Sequence, residues 1–271
     1  MSSVLLIIKR FFTERFHDQS AHMAYYFMLS IFPFLIFAVS LISFLPVKTE
    51  DVLLVIEPYA PKRSFSLIEA NLRGILGEQQ TQLASLSLLA SFWIASMAVQ
   101  SLVRAMNDAY QIKRKEGFFL ALGKDLILTA SLMITLTVSL LVPVGEEIGR
   151  VYISSHIKYS ATIQEWWLLL KWVFGSVYLF FFFLLVYKFV PSTKIKLVHI
   201  IPGAIFATIG WQSVSVAFSY YVTFASYTKL YGQIGSIIVL MIWFYLSAAV
   251  LLIGGLINAY WIGKKISKLN S

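Results

Sequence analysis

The sequence predicts an all-α polytopic membrane protein: six transmembrane helices, N and C termini cytoplasmic, and an N-terminal amphipathic interfacial helix. Three observations carry this reading. Of 271 residues, 59% are hydrophobic and only 13% charged, about half the charged share of a soluble domain, with a mean hydropathy of +0.78. Six runs are free or nearly free of charge over at least about 18 residues, the length that carries a helix across the hydrocarbon. Lysines and arginines favour alternate connections two to one. A soluble fold of this size cannot bury so much apolar surface, and disorder needs the opposite composition.

The whole chain, 1–271, reads as a single transmembrane domain. Residues 1–18 mix Val4, Leu5, Ile8, Phe11, Phe12 and Phe16 with Lys9, Arg10, Glu14 and Arg15, the pattern of a helix lying in the membrane interface. The first apolar run, Val4 to Ile8, is too short for the core of a cleavable signal. Spans are expected near 22–46, 81–103, 125–145, 166–188, 198–224 and 235–260. Continuous apolar runs in lipid require helices, which satisfy every backbone group internally. An alternating β-barrel pattern is absent. Residues 47–80 alternate apolar and charged positions around Pro58 and Pro61, which reads as an external amphipathic segment. Of the basic residues, Lys9, Arg10, Arg15, Arg104, Lys113, Arg114, Lys115, Lys124, Lys188, Lys194, Lys196, Lys264, Lys265 and Lys268 share one side. The positive-inside rule makes that side cytoplasmic.

The net charge of +9 therefore reflects topology, and no nucleic-acid partner is inferred from it. No cysteine is present, which removes disulfides, thiolate metal sites and cysteine nucleophiles. His17, His22, His156 and His199 fall at different depths and form no HExxH pair. No P-loop or GxSxG elbow occurs. Neither a catalytic residue, a metal site nor a cofactor is expected. Glu146 and Glu147 diverge by about 100° on a helix and read as solvated caps.

Polar residues inside the spans are the better lead, because they are costly in lipid. Gln100 and Asn107 lie on span two and its extension, Gln212, Ser213 and Ser215 on span five, and Asn258 on span six. They admit two readings, hydrogen bonds between helices or a polar cavity. Pro33 is expected to kink or break span one, since proline removes a backbone donor and crowds the carbonyl four residues back. Pro202 opens span five, where proline is tolerated. Gly203, Ala207 and Gly210, and Ser247, Gly254 and Gly255, offer close-packing faces. Tyr220, Tyr221, Tyr227 and Tyr231 with Trp166 and Trp167 fit an external aromatic belt, and Lys171 is expected to snorkel outward. The stretch 227–235, with Lys229, Gly232, Gln233 and Gly235, reads as a re-entrant or tightly folded loop.

These residues resemble a known family. AYYFMLSIFP at 24–33 is similar to the first-span signature of the YihY/BrkB family of integral membrane proteins. The segment 104–110, Val190-Pro191, the stretch 201–204 and the block 231–238 with 243–247 resemble its later elements in order, over nearly the whole chain. The resemblance implies a multi-pass protein of the cytoplasmic (inner) membrane of a bacterium. One position departs: the last span of the family reads G-A-E-x-N-A, and Leu256 stands here where that glutamate would be. The family has carried a ribonuclease BN label. Asp108, Glu116 and Asp125 are the only carboxylates of the largest inner connection, too few for a metal clamp or positioned base, so no enzyme activity is expected.

The leading expectation is a transporter-like protein that binds or translocates an amphipathic substrate, a lipid in the first instance. A membrane-bound ribonuclease and a structural or assembly protein without substrate are the alternatives. Membrane lipids, anionic headgroups among them, are the expected partners, and the reading leaves room for a homo-oligomer. The expected pocket faces the cytoplasm, bounded by Tyr26, Ser30, Arg104 and Asn107 beside the break at Pro33. Tyr25 lines the same break, and spans five and six, with Gln212, Tyr231, Gly232, Gly235 and Asn258, form the far wall. Arg104 can grip a phosphate bidentately or simply obey the positive-inside rule.

Reporter fusions at Ser271 and near Lys158 are expected to report opposite sides of the membrane. Matching signals from the two would refute the six-span arrangement.

Overall fold

The computed structural model describes residues 3–42, 81–154, 161–224 and 227–269. They are helical throughout, apart from short turns: α1 (Ser3–Thr13), α2 (Phe16–Ile42), α3 (Thr81–Ala109), α4 (Phe118–Ser154), α5 (Ala161–Phe189), α6 (Leu197–Phe224) and α7 (Tyr227–Leu269). Five stretches of these are long and apolar enough to cross a membrane: Ser85–Ala109, Phe118–Ser139, Trp172–Phe189, Leu197–Val222 and Ile237–Gly263. The first of the six expected spans coincides with α2. The external segment expected at 47–80 lies outside the described residues.

Three expectations need correction. The interfacial helix ends at Thr13 rather than 18, because Arg15 takes a positive φ of 59° and the chain restarts as α2 at Phe16. Pro33 does not interrupt span one, since α2 runs unbroken through it. The proline deprives one carbonyl, that of Leu29, of its usual donor, whereas a full break would strand several groups in lipid. The stretch 227–235 is not a re-entrant loop but the first turns of α7. Its glycines lower helix propensity, yet a continuous ladder is the cheapest backbone in an apolar medium.

The chain divides into two compact units. The first comprises residues 1–28, 96–128 and 168–271, the second 29–95 and 129–167. In the second, Ser87, Ser91, Thr129 and Met133 are buried. Thr135 and Ser139 turn their hydroxyls back onto the carbonyls of Ser131 and Thr135 at 2.8 Å, the usual way for a short hydroxyl to be satisfied in lipid.

The first unit is organised by antiparallel packing of α6 on α7. A β-carbon added at Gly203 would collide with the Gly254 carbonyl, and one at Gly254 with the Tyr187 hydroxyl of α5. At Gly255 it would meet the Met106 sulfur of α3 at 2.7 Å, and at Gly210 the Val250 methyl at 2.9 Å. Further along the pair, Trp243 meets Trp211 at a ring-centroid distance of 5.9 Å and Phe218 at 6.0 Å. Phe244 meets Phe27 of α2 at 6.0 Å. α1 docks on this unit through Ser3 Oγ, 2.9 Å from the Tyr260 hydroxyl, and through Arg10 Nη2, which donates to the Ala109 carbonyl at 3.2 Å. Its other face leaves Val4, Ile8 and Phe12 exposed, Val4 at 64%, as expected of a helix whose apolar stripe rests on lipid.

Gly203→Ala and Gly254→Ala are each expected to lower stability by about 1–3 kcal/mol through overpacking, measured by thermal unfolding in detergent. Gly263→Ala, with nothing within 4 Å of the added carbon, is the matched control and is expected to leave unfolding unchanged.

Candidate functional site

Two polar regions of the first unit hold three of the expected site residues, Asn107 and Asn258 in one and Gln212 in the other. One lies where α3, α5, α6 and α7 pack closest. Asn107 is buried, and its Nδ2 donates to Ser192 Oγ at 2.9 Å while its Oδ1 accepts the Ser192 N–H at 2.8 Å. The asparagine thereby ties the end of α3 to the α5–α6 connection. Asn258, fully buried on α7, accepts the Gly203 N–H on Oδ1 at 2.7 Å. Pro202 beside it disturbs the local ladder, and the carboxamide supplies an acceptor at that point. Tyr187 is fully buried and donates to the Leu251 carbonyl at 2.8 Å. The Tyr110 hydroxyl and Asn258 Nδ2 are enclosed without closing a well-formed hydrogen bond. Burial pushes the Tyr110 pKa upward, and the neighbouring Asn258 offsets part of that rise.

Asn107 and Asn258 are thus engaged as clips between helices. Arg104, one turn before Asn107, is exposed. The structure does not turn these two side chains toward a common ligand position. Tyr25 is exposed and edge-on to Tyr26 at 5.4 Å. Ser30 and Pro33 are half-buried residues of the second unit. Gly235 is buried on α7. Tyr231 and Gly232 belong to the same helix, and the Tyr231 side chain lies outside the described residues.

Arg114 and Glu116 of the α3–α4 connection pair with Asp125 and Lys124 of α4. Arg114 holds the buried Asp125 with two hydrogen bonds of 2.9 and 2.8 Å and also donates to the Ala121 carbonyl at 3.0 Å. Lys124 pairs with Glu116. The hydrogen bond from Lys124 holds the Glu116 carboxyl below its ordinary pKa, helped by the nearby charge of Arg114. Its contribution to stability is therefore present above the ordinary carboxylate pKa and lost as pH falls through the lowered one. Asp108 accepts a hydrogen bond from Gln19 at 3.0 Å. Among the described residues, no three His, Asp or Glu side chains gather where a metal could be held.

The second region is an open groove of about 570 Å³ between α5 and α6. Trp172, Gly175 and Leu179 line it from α5, and Trp211, Gln212, Ser215, Val216, Ser219 and Tyr220 from α6. Among the described residues, none that lines it is charged. Both helices present this end outward: Trp172 is 59% exposed and Tyr220 64%. The volume falls in the range of ligand sites, roughly 300–1,000 Å³. Of the lining residues, Gln212 is held by a relay, in which Ser176 donates to the Trp172 carbonyl at 2.8 Å and accepts from Gln212 Nε2 at 2.7 Å. The Ser215 hydroxyl is enclosed and has no partner. A β-carbon at Gly175 would meet open space.

Gln212 and Ser215 stand out in the sequence as mid-span polar residues, whereas Trp172, Gly175 and Trp211 do not. The usable signal was the spacing of Gln212, Ser215 and Ser219 on one helical face, facing Gly175-Ser176 on the preceding antiparallel span.

Comparison with known proteins gives a consistent result. The profile described as virulence factor BrkB matches residues 7–268. A Bacillus subtilis (strain 168) protein named ribonuclease-like protein YfkH is 41% identical over 261 residues, 96% of this chain and 94% of that one. A UPF0761 membrane protein of Aliivibrio fischeri (strain MJ11) is 28% identical across 98% of this chain and 87% of its own. One of Actinobacillus pleuropneumoniae is 25% identical across 94% and 92%. No solved structure matches.

Asn258→Leu is expected to strand the Gly203 N–H and cost about 1–3 kcal/mol of stability, the penalty of an unsatisfied buried donor. Arg104→Gln, at an exposed site, is expected to stay within about 0.5 kcal/mol of the parent. Chemical unfolding in micelles followed by tryptophan fluorescence checks both.

Proposed function

The chain belongs to the virulence factor BrkB family of multi-pass membrane proteins, and from that premise we propose that it binds or translocates an amphipathic substrate of the lipid class. The observation that carries the reading is the groove between α5 and α6. Among the described residues its lining is uncharged, made of tryptophan, tyrosine and aliphatic side chains with a few hydrogen-bonding groups, and it opens on the exposed surface of two helices apolar enough to cross a membrane. Molecules that reach such a surface arrive from the bilayer itself. An apolar wall with few polar groups is what a chain-and-headgroup molecule requires. In the six-span topology with cytoplasmic termini that belongs to this proposal, the groove opens in the outer half of the membrane. Arg104, exposed near the inner end of α3, suits contact with anionic headgroups there.

The name of the Bacillus relative keeps a nuclease in view as a second reading. Against it, Arg114 engages both oxygens of the buried Asp125, and Gln19 donates to one oxygen of Asp108.

The test uses the full chain in nanodiscs containing a phospholipid with a photoactivatable group on one acyl chain. Labelling is expected to concentrate on α5 and α6 around Trp172 and Trp211 and to fall about tenfold in Gly175→Leu, which fills the groove. Uniform labelling indifferent to that substitution overturns the reading. In the same preparation RNA is expected to survive equally with the parent and with the Asp108→Ala/Asp125→Ala variant. Metal-dependent cleavage lost in the variant would reinstate the nuclease.

A further inference from the structure

Resting on that reading, we infer that the groove selects the uncharged part of a lipid that carries a free hydroxyl beside an ester, as a diacylglycerol does, and not a phosphate headgroup. Among the described residues the lining holds no cation. An anion placed there would be desolvated without a counter-charge from them, which a low-dielectric site tolerates poorly.

Hydrogen-bond polarity is more specific still. Ser176 spends its proton on the Trp172 carbonyl, so its lone pair faces Gln212, and Gln212 answers with Nε2. The Gln212 Oε1 is then the end turned away from the relay, and it can only accept. Ser215 behaves unlike its neighbours. Thr208 and Ser213 on the same helix return their hydroxyls to the carbonyls of Ala204 and Ile209 at 2.8 Å, whereas Ser215 Oγ has no partner. Enclosed as it stands, it retains an unpaired proton, which rotation about its Cα–Cβ bond brings to a ligand in the groove. Gln212 and Ser215 are three residues apart on α6 and therefore share a face, about 5–6 Å between β-carbons. One acceptor and one donor at that spacing match the adjacent hydroxyl and ester carbonyl of a three-carbon backbone. Leu179 and Val216 supply the apolar wall along which the acyl chains lie.

The experiment uses the full chain in phosphatidylcholine nanodiscs with a dioleoylglycerol bearing a diazirine on one acyl chain. Competitors are unlabelled dioleoylglycerol, its O-methyl ether, and dioleoylphosphatidylglycerol. Dioleoylglycerol is expected to compete roughly tenfold better than either of the others, the scale of one or two uncharged hydrogen bonds. That preference is expected to vanish in Gln212→Leu/Ser215→Ala, while Ser215→Ala alone leaves thermal unfolding unchanged because its hydroxyl holds nothing. Equal competition by phosphatidylglycerol or by the methyl ether, or a preference that survives in the double variant, overturns the selectivity and leaves the lipid groove standing. Labelling that no probe makes sensitive to Gly175→Leu overturns the groove and the selectivity together.

Discussion

The close approach of α6 and α7 at Gly203 and Gly254 is the contact on which the rest of the first unit depends. Lipid tails are as apolar as leucine, so helices in a bilayer gain little by hiding apolar surface from one another. They associate through close packing and through polar groups that find partners. Gly203 and Gly254 remove the side chains that would separate the two backbones. The space so opened admits the Tyr187 hydroxyl, which reaches the Leu251 carbonyl, and Asn258, which reaches the Gly203 N–H. Gly255 admits Met106. One small-residue seam therefore gathers four helices.

The groove follows from where that seam ends. On α5 the buried residues are Phe183, Val186 and Tyr187, toward the Ser192 connection, whereas Trp172, Val173 and Phe174 are exposed. On α6 the buried set is Ile200, Gly203, Ala204, Ala207 and Thr208, and the exposed set includes Val216, Tyr220 and Tyr221. Both helices are tightly held at one end and open at the other, with the Ser176–Gln212 hydrogen bond between them. Tryptophans at 172 and 211 line that end, and Gly175 leaves open space beside them, so a cleft remains.

The same packing bears on Leu256. In the sequence pattern that the chain resembles, a carboxylate belongs at this position. Here the leucine is fully buried in the seam beside Gly254 and Gly255, and it has nothing to titrate. Four charged groups pair instead where the α3–α4 connection meets the start of α4, Arg114 with Asp125 and Lys124 with Glu116.

Composition and run length sufficed for the class, the helical architecture and the approximate extent of the helices, because lipid restricts the backbone so severely that apolar length alone is informative. The motif order was enough for family membership. The mid-span polar residues were visible, but their roles were not. Asn107 and Asn258 became clips, and Gln212 and Ser215 became groove lining, through partners 85, 55 and 36 residues away in the first three cases and through the lack of one in the fourth. The proline at 33 and the glycines at 232 and 235 spoke for broken helix by local propensity, and the structure keeps them helical because an unpaired backbone in hydrocarbon is the greater penalty. Sequence alone determined what each helix is made of. Which faces meet, and hence where a cleft is left between α5 and α6, was decided by tertiary packing, because it depends on pairs of residues that only the crossing of helices brings together.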